Sequence, residues 1–378
     1  MAALKLNVLH WHILDSTSFP IKSEKFPQLS KGAYSPSAVY TLDDLRSLVK
    51  YAKSRAVRVV PEFEMPGHGS FSAGMPELSL TSCSDTLDVT NTSTYTFLAD
   101  FLTEMTTVFT DELIYLGGDE VGKDSKCKWP GMHNYCGYHC FDEDPAVAAW
   151  MKQQGLNSSQ TLDYFWEQVT KQVIPQLTNK TVGVWMSDTP NHGGAPEHWY
   201  FPPPNMSTLP AGAVANVYQD MAAAGPHLDA GTPVVLSVAY DGWYLDGHPD
   251  FAAVYNVRPC DQNQLDCDNP KYPARRGSLL GGSVSMWGEL VDQFNFEADV
   301  WPGASALAER LWTDFPLASS GTGSAADALN RHHYLQCHWA MWGLATYTRE
   351  KKKSEYTAVM DAGLGGDLCP ADWSTPPM

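Results

Sequence analysis

Two adjacent carboxylates close the stretch "LIYLGGDEV", where Asp119 and Glu120 follow two glycines at the end of an apolar run that starts at Leu113. Neighbouring carboxylates repel, and Asp and Glu are poor strand residues, so this placement asks for a chemical reason. If both share one cleft, repulsion raises the pKa of at least one and prepares a general acid. A helix cap or a metal site is the other reading. Magnesium or calcium would want more clustered oxygen ligands, and zinc would want histidine. Other apolar runs end in equally costly residues: Asp15; Glu62, Glu64 and His68; Trp185 and Asp188; Tyr218 and Asp220; Tyr240 and Asp241; Trp287 and Glu289. Capping of a following helix explains some of the acids, but it does not explain the tryptophans or His68.

The elements that must carry these residues are seven β-rich runs: 5–13, 57–64, 113–120, 181–188, 213–220, 233–240 and 283–290. Most are continuous apolar runs, as in strands of a parallel sheet buried on both faces. Helical periodicity lies between several of them. "TLDDLRSLVKYAKSRA" opens on Thr41 as an N-cap and lines up Leu45, Leu48, Val49 and Ala52. "TYTFLADFLTEMTTVF" and "TLDYFWEQVTKQVIPQL" repeat the pattern, and a last helix is expected in "ALNRHHYLQCHWAMWGL". Strand–helix repetition predicts an α/β fold with right-handed crossovers. Functional residues at seven strand ends favour a TIM-type barrel over an open sheet, which would gather them at one switch point. Residues 189–212 and 241–282 read as long insertions, and 316–328 as a loop. Residues 1–345 are expected to form the catalytic barrel, and 346–378 an extension tied back to it.

The 378 residues carry a formal net charge of −18, which disfavours a nucleic-acid partner. No apolar run reaches the ~18 residues of a membrane span. The eight cysteines have no paired CxxC spacing of a zinc site. Their even number, with four N-x-S/T sequons at Asn91, Asn157, Asn179 and Asn205, points to an oxidising, glycosylating compartment. The opening "MAALKLNVLHWH" has no signal-peptide pattern.

Seven segments in chain order resemble the β-N-acetylhexosaminidases of glycoside hydrolase family 20, of the eukaryotic lysosomal or secreted type: "KLNVLHWHILDSTSFP", "VRVVPEFEMPGHGSF", "YLGGDEV", "VGVWMSD", "VVLSVAYDGWYLD", "SMWGELVD" and "WPGASALAERLW". The resemblance covers about residues 4–345. It implies an exo-acting enzyme that removes terminal N-acetylglucosamine or N-acetylgalactosamine from glycans by substrate-assisted retaining hydrolysis, without a cofactor or metal. It identifies Glu120 as the general acid/base, Asp119 as the residue that orients the acetamido N–H, and Tyr244 as the donor to the acetamido carbonyl. Trp185 and Trp287 match aromatic walls of the sugar pocket. A third wall, normally Trp, is Tyr218 here, which implies a roomier or more polar pocket. Asp246 and Glu289 match acids on sugar hydroxyls. Asp15 and His68 match a pair behind the catalytic Glu that holds its rotamer and tunes its pKa. From the same relatives come two disulfides, Cys83–Cys127 and Cys337–Cys369. Proximity alone suggests Cys136–Cys140 and Cys260–Cys267.

The chain also departs from the family pattern. Family barrels begin with a strand carrying an "RG" whose Arg grips the sugar's 3- and 4-hydroxyls, and this sequence starts after it. The expected architecture is therefore a (β/α)8-type barrel without its first strand–helix unit, lysosomal, vacuolar or secreted, with a homodimer among the expected assemblies. A catalytically weak glycan-binding paralogue, or an inactive fragment, is the alternative. Relatives that accept 6-sulfated sugar carry a positive charge near the position after Asp246, which is Gly247 here, with no Lys or Arg before Arg258. Neutral terminal sugars are the expected substrates.

Overall fold

The structure is a computed structural model that describes residues 1–121, 128–129, 132–133, 139–186, 204–218, 220–247, 251–289, 291–313 and 324–341. The chain forms two compact units. The first takes in Leu6–Val217 with Met1–Ala2 and Pro226–Val234; the second takes in Ala3–Lys5, Tyr218–Gly225 and the described residues from Val235 onward. Strands and helices alternate, and the described strand ladders of the main sheet are parallel. This is the architecture of a TIM-type (β/α)8 barrel, with seven such strands among the described residues.

The first unit holds β1 (Val8–His12), β2 (Arg58–Glu62), β3 (Leu113–Tyr115), β4 (Thr181–Met186) and β5 (Val214–Tyr218, its last residue in the second unit), each hydrogen-bonded to the next. Parallel register sets His12 beside Glu62, Glu62 beside Tyr115 and Tyr115 beside Gly183, so the strand ends rise together. The run expected at 113–120 leaves the ladder early. Its backbone stays tied to β4 only as far as Gly117, whose carbonyl accepts from the Trp185 N–H at 2.9 Å. Asp119 and Glu120 therefore stand beyond the ladder.

The connecting helices follow from local sequence. In α1 (Leu42–Lys53), Thr41 accepts from the Asp44 N–H at 3.1 Å, and the Asp44 carboxylate accepts from the Thr41 N–H at 2.9 Å. Thr41 is the N-cap expected, and the Asp44 bond makes the cap reciprocal. In α2 (Thr92–Thr106), Phe97, Leu98, Phe101, Leu102 and Met105 are buried. Phe101 lies 5.7 Å from Phe19 and 5.4 Å from Phe63, ring centre to ring centre. Truncating one such ring to Ala costs about 3–5 kcal/mol. The helix expected at 161–177 starts earlier, as α3 (Ser158–Gln168), because Asn157 caps it. It then widens into a π-turn at Val169–Val173 and tightens at Ile174–Gln176, where Pro175 has no N–H to continue it.

The second unit holds β6 (Val234–Ser237; Val234 itself belongs to the first unit) and β7 (Leu279–Gly282), with helices α4 (Phe251–Asn256), α5 (Phe296–Trp312) and α6 (Ala325–Met341). The seventh strand thus lies at 279–282 rather than the expected 283–290. Gly281 and Gly282 hide it from propensity. A Cβ on Gly282 would sit 2.4 Å from the buried Trp243 ring, so only glycine lets the strand pass. Ser285 then pairs in parallel with Tyr244.

The disulfides correct one expectation. Cys83 bonds Cys140, not Cys127, with Cα atoms 5.6 Å apart. The turn after Leu80 lies against the segment before α3: the Thr81 N–H donates to Asp144, and the Ser82 hydroxyl donates to the Cys140 carbonyl. The same bond excludes Cys136–Cys140. Cys260–Cys267 forms as expected from proximity. Cys127, Cys136 and Cys369, and the side chain of Cys337, lie outside the described residues, as do Asp188 and 342–378.

Candidate active site

In the first unit the site grows from the ends of β1, β2 and β3. Past Tyr115, Gly117 and Gly118 take left-handed conformations, with φ of +65° and +99°. A Cβ on Gly117 would fall 1.8 Å from a Glu64 carboxylate oxygen, and one on Gly118 would fall 2.8 Å from the Trp166 ring. The glycines let the backbone pass directly over buried side chains and deliver Asp119 and Glu120 above them. Glu120 itself has φ +45°, and His68 has φ +52°. A non-glycine residue held there costs of the order of 1–3 kcal/mol, a strain that clusters at functional sites.

Glu120 faces His68, with Oε2 and Nε2 3.5 Å apart, an ion-pair contact. The other His68 nitrogen, Nδ1, lies 3.2 Å from Asp15 Oδ1. Burial opposes a charge on His68, but bonds to Asp15 and Glu120 outweigh it and raise its pKa well above the ordinary histidine value. Asp15 is depressed despite burial, because His12 and His68 hold its charge. Asp15, His68 and Glu120 are thus brought together.

Asp119 is different. Burial is the chief cause that pushes its carboxyl up to about 6, with His68 pulling the other way and Glu120 and Glu62 adding to the rise. Its Oδ1 is buried and has no hydrogen-bond donor among the described residues. A buried acceptor of this kind is shaped for a donor that arrives with a ligand.

Beneath lies a set of residues that the sequence reading did not assign. His12 Nε2 lies 2.9 Å from Asp15 Oδ2, and His12 Nδ1 lies 3.2 Å from Glu62 Oε2 and 3.5 Å from Glu64 Oε1. His10 Nε2 lies 2.9 Å from the same Glu62 oxygen. Glu62 and Glu64 are almost wholly buried, and burial drives both toward the neutral form. His10 and His12 overcome that for Glu62 and hold it ionised. For Glu64 the nearby Asp119 and Glu62 charges add to burial and raise its pKa well above the ordinary carboxyl value. His12, Glu62 and Glu64 place ligand atoms within 4.8 Å of one another, a spacing a metal ion could bridge, yet both His12 nitrogens already face carboxylates. The readable signal was the period-2 spacing in "HWH" and "EFE", which sets both histidines on one face of β1 beside Glu62 at the end of β2, with Glu64 two residues beyond.

Trp185, at the end of β4, is 3% exposed, and its indole N–H donates to Glu62 Oε1. Its ring stacks 5.8 Å from His10, which stacks 4.0 Å from Tyr115. In the second unit, Tyr244 and Trp287 meet edge to face at 5.6 Å. The Tyr244–Ser285 bridge explains this, because Trp287 follows Ser285 by two and so shares its face. Asp246 is partly buried and Glu289 exposed. Tyr218, expected as the third aromatic wall, is 8% exposed. Asn91, Asn157 and Asn205 cap helical turns, and Asn179 adopts φ +60°.

The model of the glycosyl hydrolase family 20 catalytic domain matches residues 1–315. The chain is 33% identical over 363 residues to beta-hexosaminidase subunit beta of Felis catus, covering 91% of this chain and 60% of that protein. It is 30% identical over 351 residues to beta-hexosaminidase subunit A1 of Dictyostelium discoideum, covering 90% and 58% respectively. The chain therefore spans 58–60% of the length of these relatives. The crystal structure of a chitobiase from Flavobacterium johnsoniae superposes with a TM-score of 0.69 at 25% identity, over 97% of this chain and 51% of that one.

Proposed function

Since the chain belongs to glycosyl hydrolase family 20, we propose that it is an exo-acting β-N-acetylhexosaminidase that releases terminal N-acetylglucosamine or N-acetylgalactosamine by substrate-assisted, retaining hydrolysis. The observation that carries the reading is the pairing of two unlike carboxyls: Glu120 backed by His68 and Asp15, and beside it Asp119 with a buried oxygen that lacks a donor among the described residues.

In this reading the acetamido carbonyl oxygen of the substrate attacks the anomeric carbon as the glycosidic C–O bond breaks. Glu120 gives its proton to the leaving oxygen. Asp119 accepts a hydrogen bond from the acetamido N–H and stabilises the positive oxazolinium intermediate, whose N–H supplies the donor that Oδ1 lacks. Tyr244 donates to the carbonyl oxygen as it becomes nucleophilic. Glu120, now a carboxylate, takes a proton from water as that water opens the oxazolinium ring, and the β-configuration is restored. His68 and Asp15 hold the Glu120 rotamer through both proton transfers. Trp185, Tyr218 and Trp287 are assigned to the sugar pocket, and Asp246 and Glu289 to its hydroxyls. The disulfides Cys83–Cys140 and Cys260–Cys267 support a lysosomal, vacuolar or secreted setting.

Two measurements test this. The chain should turn over a chromogenic N-acetylglucosaminide and leave the matching 2-hydroxy glucoside almost untouched; comparable rates on both would exclude substrate assistance. Glu120→Gln should lose about 10²–10⁴-fold in rate. The loss should shrink for good leaving groups, which need little protonation. An equal loss across leaving groups would remove Glu120 from the acid role.

A further inference from the structure

We propose that Glu62 is a positioning residue, a single buried carboxylate that fastens the aromatic wall at Trp185 to the hydrogen-bonded chain behind Glu120. The proposal rests on the hexosaminidase reading for the roles of Trp185 and Glu120. The geometry beneath it belongs to the fold alone.

The path is continuous. Glu62 Oε1 accepts the Trp185 indole N–H. Glu62 Oε2 lies 3.2 Å from His12 Nδ1. His12 Nε2 lies 2.9 Å from Asp15 Oδ2, Asp15 Oδ1 lies 3.2 Å from His68 Nδ1, and His68 Nε2 lies 3.5 Å from Glu120 Oε2. Acid and imidazole alternate along five groups, and each imidazole has a carboxylate at both nitrogens. In a buried setting that alternation is what keeps each charge paired. His12 is raised to about 10 because its bonds to Asp15 and Glu62 outweigh burial.

Among the described residues, other titratable groups also face the chain. His10 lies against Glu62, and Glu64 lies 3.5 Å from His12. Tyr115 stacks on His10, and burial with the Glu62 charge keeps its phenol neutral. Asp119 adds negative charge near His68.

In Glu62→Gln with His12 still protonated, the network gains a net positive charge, which favours ionised Glu120. In Glu62→Gln, the basic limb of the kcat/KM profile should therefore fall by about half a pH unit or more. KM should also rise, because Trp185 loses its acceptor charge. Trp185→Phe should raise KM and leave the limb in place. Glu62→Asp, which keeps the charge, should return the limb toward its original position. An unmoved limb in Glu62→Gln, or an equal shift in Trp185→Phe, overturns the proposal.

Histidine ¹⁵N NMR on the unaltered chain needs neither turnover nor a variant. His12 should remain an imidazolium through pH 8, and a neutral His12 at pH 7 overturns the proposal on its own. An inert enzyme with a charged His12 would refute the hexosaminidase reading and leave the anchoring by Glu62 standing.

Discussion

Asp119 carries a stability cost that its proposed role explains. Its carboxyl is raised from 3.8 to about 6, chiefly by burial. A raised carboxyl pKa contributes stability below the unfolded value, and that contribution is lost as pH climbs through the folded value. The native chain should therefore weaken between about pH 4 and pH 6 on account of this residue. Asp119→Asn should raise Tm at pH 7.5 by at least about 2 °C. The gain should vanish at pH 4, where both side chains are neutral, and activity should be lost at either pH. A thermal scan across pH that finds no gain at 7.5 would mean the charge is compensated by groups not yet identified. Asp119 and Glu120 were legible in the sequence because adjacent acids contradict strand chemistry. His12, Glu62 and Glu64 were harder, because in "HWH" and "EFE" they alternate with aromatic residues as ordinary strand positions do. Only register, with His12 opposite Glu62, turns them into a charged network.

At the scale of elements, the sequence carried strands β1 to β6 and the Thr41 cap, and it misplaced what depends on contact. Thr41 was readable because a cap is local. Cys83–Cys140 was not, because it joins segments 57 residues apart that only tertiary packing brings together. β7 was missed because two glycines lower its strand propensity, and Gly282 is required by a distant contact, the Trp243 ring beneath it. The sequons show a local signal with two meanings. Asn157 accepts from the Gln160 N–H at 2.9 Å, and Gln160 answers the Asn157 N–H at 3.0 Å. That reciprocal cap favours asparagine whether or not a glycan is attached. Asn157→Asp keeps the cap and abolishes the sequon, so its stability should stay within a few tenths of a kcal/mol of the unglycosylated parent. Asn157→Ala should cost about 1 kcal/mol. Denaturant melts of both, from a host that adds no glycans, would separate the roles. An equal loss in both would show that the cap contributes nothing.

For the whole molecule, the net charge of −18 bears on which sugars can approach. Two effects of different range oppose an anionic substrate. One is the summed field of the chain, which repels anions at distance. The other is local: Gly247 follows Asp246, and the next Lys or Arg in sequence, Arg258, stands 3.8 Å from the Asp261 carboxylate. We expect kcat/KM for a 6-sulfated N-acetylglucosaminide to fall below that for the neutral sugar by at least about tenfold, the equivalent of 1.4 kcal/mol. Salt divides the two causes, because the screening length drops from about 10 Å at 0.1 M to about 3 Å at 1 M. If the summed field dominates, high salt should close most of the gap. If the missing local cation dominates, the gap should persist in salt and narrow in Gly247→Arg, with kcat/KM for the neutral sugar little changed. Equal kcat/KM for the two sugars at low salt would refute both, and would place a cation elsewhere within reach of the 6-position.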